Sequence, residues 1–238
     1  SRDWSSDVCS SDLLGCLDRR VVAAASVMSQ ALRSVVFDFG AVLFQWRPFE
    51  LLQQVVPELA PNEPAAKALA ARVFESFTPQ SDWAQFDLGQ VDEAVLAQRI
   101  SQRIAAPISQ VRAVIDAIPG HLQPLRPTVD LLEQLKREGH RLFFLSNMPK
   151  PYADALERDN AFLRHFEDGI FSGRVGLMKP SREIFELANR QFGLDSAHTV
   201  FIDDHPGNVL AAQQHGWQAV LFTDAMAVTT QLRATGWL

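Results

Sequence analysis

The tightest constraint on how this chain folds is a short apolar run that stops at an acid: Val35, Val36 and Phe37, then Asp38, with Gly40 two residues on. A run this short, without polar alternation, suits a strand buried on both faces, as in a parallel sheet. The pattern recurs downstream. RLFFLSN (141–147) ends in Ser146-Asn147 and follows the helical stretch DLLEQLKREG, whose stop is Gly139. HTVFIDD (198–204) ends in Asp203-Asp204, WQAVLFT (217–223) reads as a further strand, and GIFSG (169–173) as a weaker one. Helical stretches at 151–160, 181–192 and 206–215 separate these runs, with Phe185 and Leu187 expected to turn inward. Such alternation predicts an α/β fold with a doubly wound, mainly parallel, Rossmann-like sheet.

Between the first and second runs lies an interval too long for a simple crossover. Its four helical patterns are PFELLQQVV, PAAKALAARVFESF, VDEAVLAQRISQRI and ISQVRAVIDAI, punctuated by Pro57, Pro64, Pro79 and Pro107. The expected organisation is an α/β core at 31–47 and 121–238 with a helical cap, a four-helix bundle, inserted at 48–120. Residues 1–30 are set apart as a disordered or non-native tail. They are rich in Ser and Asp, lack periodicity, hold both cysteines (Cys9 and Cys16) and precede Met28, the expected natural start.

Charge and composition narrow the function classes. With 22 basic and 28 acidic residues the net charge is −6, so no concentrated basic patch is available for nucleic acid or an anionic membrane. No apolar run approaches the roughly 18 to 20 residues of a spanning helix. The core carries no cysteine, and with no disulfide to maintain a cytoplasmic location is expected.

Ligands of open α/β sheets bind outside the carboxyl ends of the strands. There the sequence places Asp38, Ser146-Asn147 and Asp203-Asp204, to which the loop GLMKPSREIF adds Lys179. Together they offer a nucleophile, a hydroxyl donor, a charge clamp and a site for a dication. Carboxylates crowded at one sheet end repel one another, and a hard, oxygen-liking cation such as magnesium would relieve that and neutralise a phosphate ester approaching Asp38. Each residue has a plainer reading alone: Asp38 and Asp203-Asp204 as helix caps, Ser146-Asn147 as turn chemistry, Lys179 as a solvated side chain. Three strands in succession ending in the required groups weigh against those readings.

The four motifs VVFDFGAV (35–42), FLSN (144–147), LMKP (177–180) and FIDDHPGN (201–208) resemble those of the haloacid dehalogenase-like hydrolase superfamily. The resemblance runs from Arg33 to about Phe222. WAQFDLGQVDEAVLAQRI, with Trp83, Phe86 and Gly89, is similar to the cap of a subgroup that includes sugar-phosphate phosphatases. It implies a magnesium-dependent phosphomonoester hydrolase acting on a small phosphorylated metabolite, a sugar phosphate in particular. Asp38 would be the nucleophile and, with the Gly40 carbonyl, Asp204 and Asp203, a metal ligand. Ser146, Asn147, Gly40 and Ala41 would bind the phosphoryl group, Lys179 would clamp its charge, and Asn208 would orient the last motif.

One departure stands out. Most phosphatases of the superfamily carry a second Asp two residues after the nucleophile as acid and base, where this chain has Gly40. A good leaving group, a substitute such as His205 or His121, or weak catalysis would each accommodate the change. Two competing readings are a 2-haloacid dehalogenase using the same nucleophile, for which the Asp203-Asp204 pair would be unhelpful, and a non-catalytic binding module. A receiver domain is disfavoured because its acid pair precedes the phosphoacceptor. Trp83, Phe86, Gln45, Trp46 and His121 are candidates to face the pocket.

Overall fold

The computed structural model describes residues 33–75 and 80–238, so the expectations for residues 1–30 and for Pro79 fall outside it. Five strands, β1 (Ser34–Phe37), β2 (Arg141–Ser146), β3 (Asp168–Phe171), β4 (Thr199–Asp203) and β5 (Gln218–Leu221), form one sheet in the order β3-β2-β1-β4-β5. Every pairing is parallel, and Phe37 is in register with Phe144 on one side and Ile202 on the other. Successive residues point to opposite faces. Val35, Phe37, Phe144 and Ile202 enter one apolar cluster, while Val36, Phe143, Leu145 and Phe201 enter another. The short unalternating runs thus reflect a sheet buried on both sides.

The elements among the described residues of 48–121 are all helices: α1 (Pro48–Val55), α2 (Glu63–Val73), α3 (Asp82–Asp87), α4 (Glu93–Ile104) and α5 (Ile108–His121). Four correspond to the patterns read in the sequence. The fifth, α3, is six residues long, too short for helical periodicity to register. Its first turn is fixed by a Ser81 side-chain cap to the Ala84 N–H at 3.0 Å, and by Arg99 and Arg103 reaching Asp82 at 2.9 and 2.5 Å. Asn62 and Asp92 cap α2 and α4 in the same way.

The remaining α-helices among the described residues are α6 (Arg126–Arg137), α7 (Lys150–Asp159), α8 (Ser172–Val175), α9 (Arg182–Phe192), α10 (Pro206–Gln214) and α11 (Ala225–Ala234). Gly139, with φ +89°, follows the end of α6 as the sequence predicts. In α9, Phe185 is fully buried, whereas Leu187 is half-buried at the edge of the cluster. The GIFSG run departs from expectation: the strand stops at Phe171, because Ser172 leaves the sheet to begin α8. Among the described residues no helix is long and apolar enough to cross a membrane.

Candidate active site

Asp38 follows the last residue of the central strand, and its N–H donates to the Ile202 carbonyl at 2.9 Å, which sets it beside the end of β4. The chain then turns tightly about the Phe39 carbonyl, which accepts the N–H groups of Leu43 and Phe44 at 2.9 and 2.8 Å. Phe39 is fully buried against Phe44, Phe144 and Phe171, so the loop carrying Gly40 and Ala41 has a rigid aromatic seat. Ala41 adopts φ 57°, a left-handed conformation that a non-glycine residue holds only where its surroundings enforce it.

Lys179 lies in the crevice between β1 and β4, where the winding of the sheet reverses. Its Nζ is 2.9 Å from Asp38 Oδ1 and donates to Asp203 Oδ2 at 2.6 Å. Burial pulls an ammonium down, but Asp203 and Asp38 outweigh it and hold Lys179 above its ordinary value. Two side chains keep this clamp in place. Asn147 spends both ends of its amide on the Lys179 backbone, accepting from its N–H at 2.8 Å and donating to its carbonyl at 3.0 Å. Asn208 Nδ2 donates to both oxygens of Asp203 at 3.0 and 3.1 Å, and the His205 N–H adds a bond to Oδ1 at 2.8 Å.

One oxygen from each of Asp38, Asp203 and Asp204 lies within 4.8 Å of the others. Burial pushes Asp38 up to about 7, with Lys179 opposing and the other two acids adding to the rise. Asp204 is raised as well, by the protein packed around it and then by Asp203. One ammonium among three carboxylates leaves the cluster under-neutralised. An all-oxygen donor set of this charge fits a hard dication.

A cavity of about 250 Å³ opens at these strand ends. Asp38, Gly40, Ala41, Ser146, Asn147, Lys179, Asp204 and Asn208 all line it, so the residues picked from the sequence converge, apart from Asp203, which is fully buried behind Lys179. Two of these side chains also hold Lys179 in place. Asn147, expected at the phosphoryl group, has its side chain committed to positioning Lys179. Asp203, expected at the metal, belongs to the acid cluster, and its oxygens also accept from Lys179, Asn208 and the His205 N–H. Of the pocket candidates, Trp46 and Trp83 line the cavity. Phe86 instead packs edge-on to Tyr152, Gln45 donates to the His121 carbonyl, and His121 stands edge-on to Trp46. His205 lines the cavity as the cap of α10, its ring accepting the Gly207 N–H.

Sequence reasoning missed Asp87. It ends α3, is 6 % exposed and lines the same cavity. Burial alone pushes its carboxyl up to about 8. The signal was present in WAQFD: Trp83, Phe86 and Asp87 stand at i, i+3 and i+4, the spacing of one buried helical face.

A haloacid dehalogenase-like hydrolase family model matches residues 32–216, and the chain belongs to that family of enzymes. It is 29 % identical to the sesquiterpene phosphatase AstK of Aspergillus oryzae, over 87 % of this chain and 97 % of that one. A predicted HAD-like family hydrolase from Porphyromonas gingivalis superposes with a TM-score of 0.64 at 27 % identity, covering 85 % of this chain and 98 % of that one. The HAD-family enzyme BT-2542 of Bacteroides thetaiotaomicron, solved with magnesium and inorganic phosphate, shares the fold with a TM-score of 0.61 at 21 % identity, covering 80 % and 94 %.

Proposed function

We propose that this hydrolase is a magnesium-dependent phosphomonoesterase that works through an aspartyl-phosphate on Asp38, with helices α1–α5 acting as the cap. The observation that carries the reading is the buried Lys179 held between Asp38 and Asp203, beside the exposed Asp204. Asp38 and Asp204 would hold a dication, which would supply the charge neutralisation that lets a phosphate dianion approach a carboxylate. Asp38 then attacks phosphorus, Lys179 balances charge on the phosphoryl oxygens, and the Ser146 hydroxyl donates to one of them. Asp203 and Asn208 hold Lys179 in line, and Asn147 fixes its backbone.

The wall of the cavity bears on the substrate. Away from the acid cluster its lining is mostly apolar, with Trp46, Trp83, Ala84, Ile118, Leu122 and Tyr152, and the Asp87 carboxyl among them. A sugar phosphate, expected from the sequence, would present several hydroxyl groups to a wall with few free donors, and burying them without partners is costly. An alkyl or isoprenoid phosphate suits such a wall better, and the sesquiterpene phosphatase among the relatives agrees with that preference. The dehalogenase reading is less favoured, because a carboxylate substrate attacked at carbon gains nothing from the additional acids.

Phosphate release from alkyl, isoprenoid and sugar phosphates, with magnesium and with chelator, tests the reading. The alkyl and isoprenoid esters should be the better substrates, and Asp38→Asn should lose about 10³-fold or more of the rate, as expected when an essential nucleophile is removed. Turnover that survives chelation or the loss of Asp38 overturns the mechanism. A preference for sugar esters overturns the substrate class.

A further inference from the structure

An alkyl ester sharpens the problem left by Gly40. Its alkoxide is a poor leaving group, so a proton donor is needed as the P–O bond breaks. Gly40 has no side chain to give one. Of the other titratable groups on the cavity wall, Lys179 is tied to two carboxylates and Asp204 belongs to the acid cluster. His205 caps α10 from an exposed position, and Tyr152 donates its hydroxyl to the Ile115 carbonyl at 3.0 Å.

Asp87 remains. Its carboxyl is buried, faces the cavity and has no hydrogen-bond partner among the described residues. A carboxyl that borders a cavity and is not engaged by the surrounding side chains is available to give or take a proton from a bound ligand. The residue is also held firmly. Its carbonyl accepts from Ser172 Oγ at 2.6 Å, and that oxygen accepts the Met148 N–H at 2.9 Å. Ser172 thus ties the end of α3 to the loop leaving Ser146. Two residues on, Gly89 has φ +71°, and a Cβ there would come within 2.7 Å of the Gly173 carbonyl oxygen, so the two backbones lie against each other.

We propose that Asp87, contributed by the helical cap, is the acid and base of this hydrolase, in the place of the side chain that Gly40 lacks. The assignment rests on the phosphomonoesterase reading. In the first step an Asp38 oxygen bonds to phosphorus, the ester P–O bond breaks, and the Asp87 carboxyl proton goes to the departing oxygen, releasing the alcohol. In the second, the Asp87 carboxylate takes a proton from a water molecule whose oxygen bonds to phosphorus. The bond to Asp38 breaks, inorganic phosphate leaves, and both carboxyls return to their starting states. The resting state suits this role: a carboxyl pushed up to about 8 is protonated at neutral pH.

The test compares wild type with Asp87→Asn, an isosteric change, on an alkyl phosphate and on para-nitrophenyl phosphate, with magnesium present. The aryl ester needs no proton to leave. Hydrolysis of the alkyl ester by the variant should fall about 10²- to 10⁴-fold, as for loss of a general acid. The aryl ester should still give a burst of nitrophenol matching the enzyme concentration, within about tenfold of the wild-type rate, and then turn over slowly for want of the base. A Cβ at Gly40 meets nothing within 4 Å, so adding Gly40→Asp to the variant should recover alkyl turnover by about tenfold or more. Unchanged alkyl hydrolysis, or a burst slowed as much as the alkyl reaction, overturns the role of Asp87 and leaves Asp38 chemistry standing. Absence of Asp38-dependent release by the wild type fells the phosphatase reading itself.

Discussion

Lys179 and Asp87 are both ionisable and both buried, and they illustrate opposite solutions to that burial. Lys179 keeps its charge because two carboxylates surround it, whereas Asp87 has no cation near and gives its charge up. The second solution leaves a thermodynamic trace. In the unfolded chain a carboxyl ionises near pH 4; in the fold Asp87 does so at about 8. As pH rises between those values the unfolded state releases its proton first, so stability falls across the window and levels off above it. Asp87→Asn removes that loss. Its melting temperature should match wild type near pH 4 and exceed it increasingly towards pH 8, by a gain on the order of a few kcal/mol. A difference that stays constant with pH would contradict a neutral Asp87. Asp38, Lys179 and Asp204 were legible in the sequence because they sit where a strand or motif loop ends, which proximity in the chain announces. Asp87 was not, because its role depends on which cavity a short helix faces.

The elements that sequence reasoning located well are those whose burial is two-sided or whose caps are local. β1, β2, β4 and β5 lie within a residue or two of expectation, since Val, Ile and Phe runs flanked by turns have few other uses. The run at 169–173 was overextended because Ser172 answers to partners far away in sequence, the Asp87 carbonyl and the Met148 N–H. The same long-range junction decides how α3 sits. Gly89→Ala would place a methyl group against the Gly173 carbonyl oxygen and hold alanine at a left-handed φ. That change should cost about 1–3 kcal/mol, read as a lower midpoint in denaturant. It should also lower turnover beyond what the lost stability explains, because the end of α3 carries Asp87. A variant with wild-type kinetics would show that the junction is structural only.

At the scale of the whole molecule, the strand order matters most. Winding first to β2 and β3 and then back across to β4 leaves β1 in the middle, so Asp38 has Ser146 on one side and Asp203-Asp204 on the other. The sequence could announce strands and a helical interval, yet not the shape of the chamber enclosed between them, which depends on residues such as Trp46 and Trp83 meeting from separate segments. Among the described lining residues, the exposed ones are Pro180, Asp204 and His205, all at the phosphate end, while Trp83, Ile118 and Leu122 are buried at the far wall. Burial along the lining thus deepens from the acids toward the helical segment. On the proposed function, an alkyl phosphate would place its headgroup at the acids and lay its tail toward the buried wall. The chamber becomes a depth gauge. Across a homologous series of alkyl phosphates, kcat/KM should climb with each added carbon, by roughly 0.8 kcal/mol per buried methylene, and then drop abruptly once the tail meets the far wall. Trp83→Ala should move that drop to longer chains, and a series without a cutoff would mean that the tail leaves by another route.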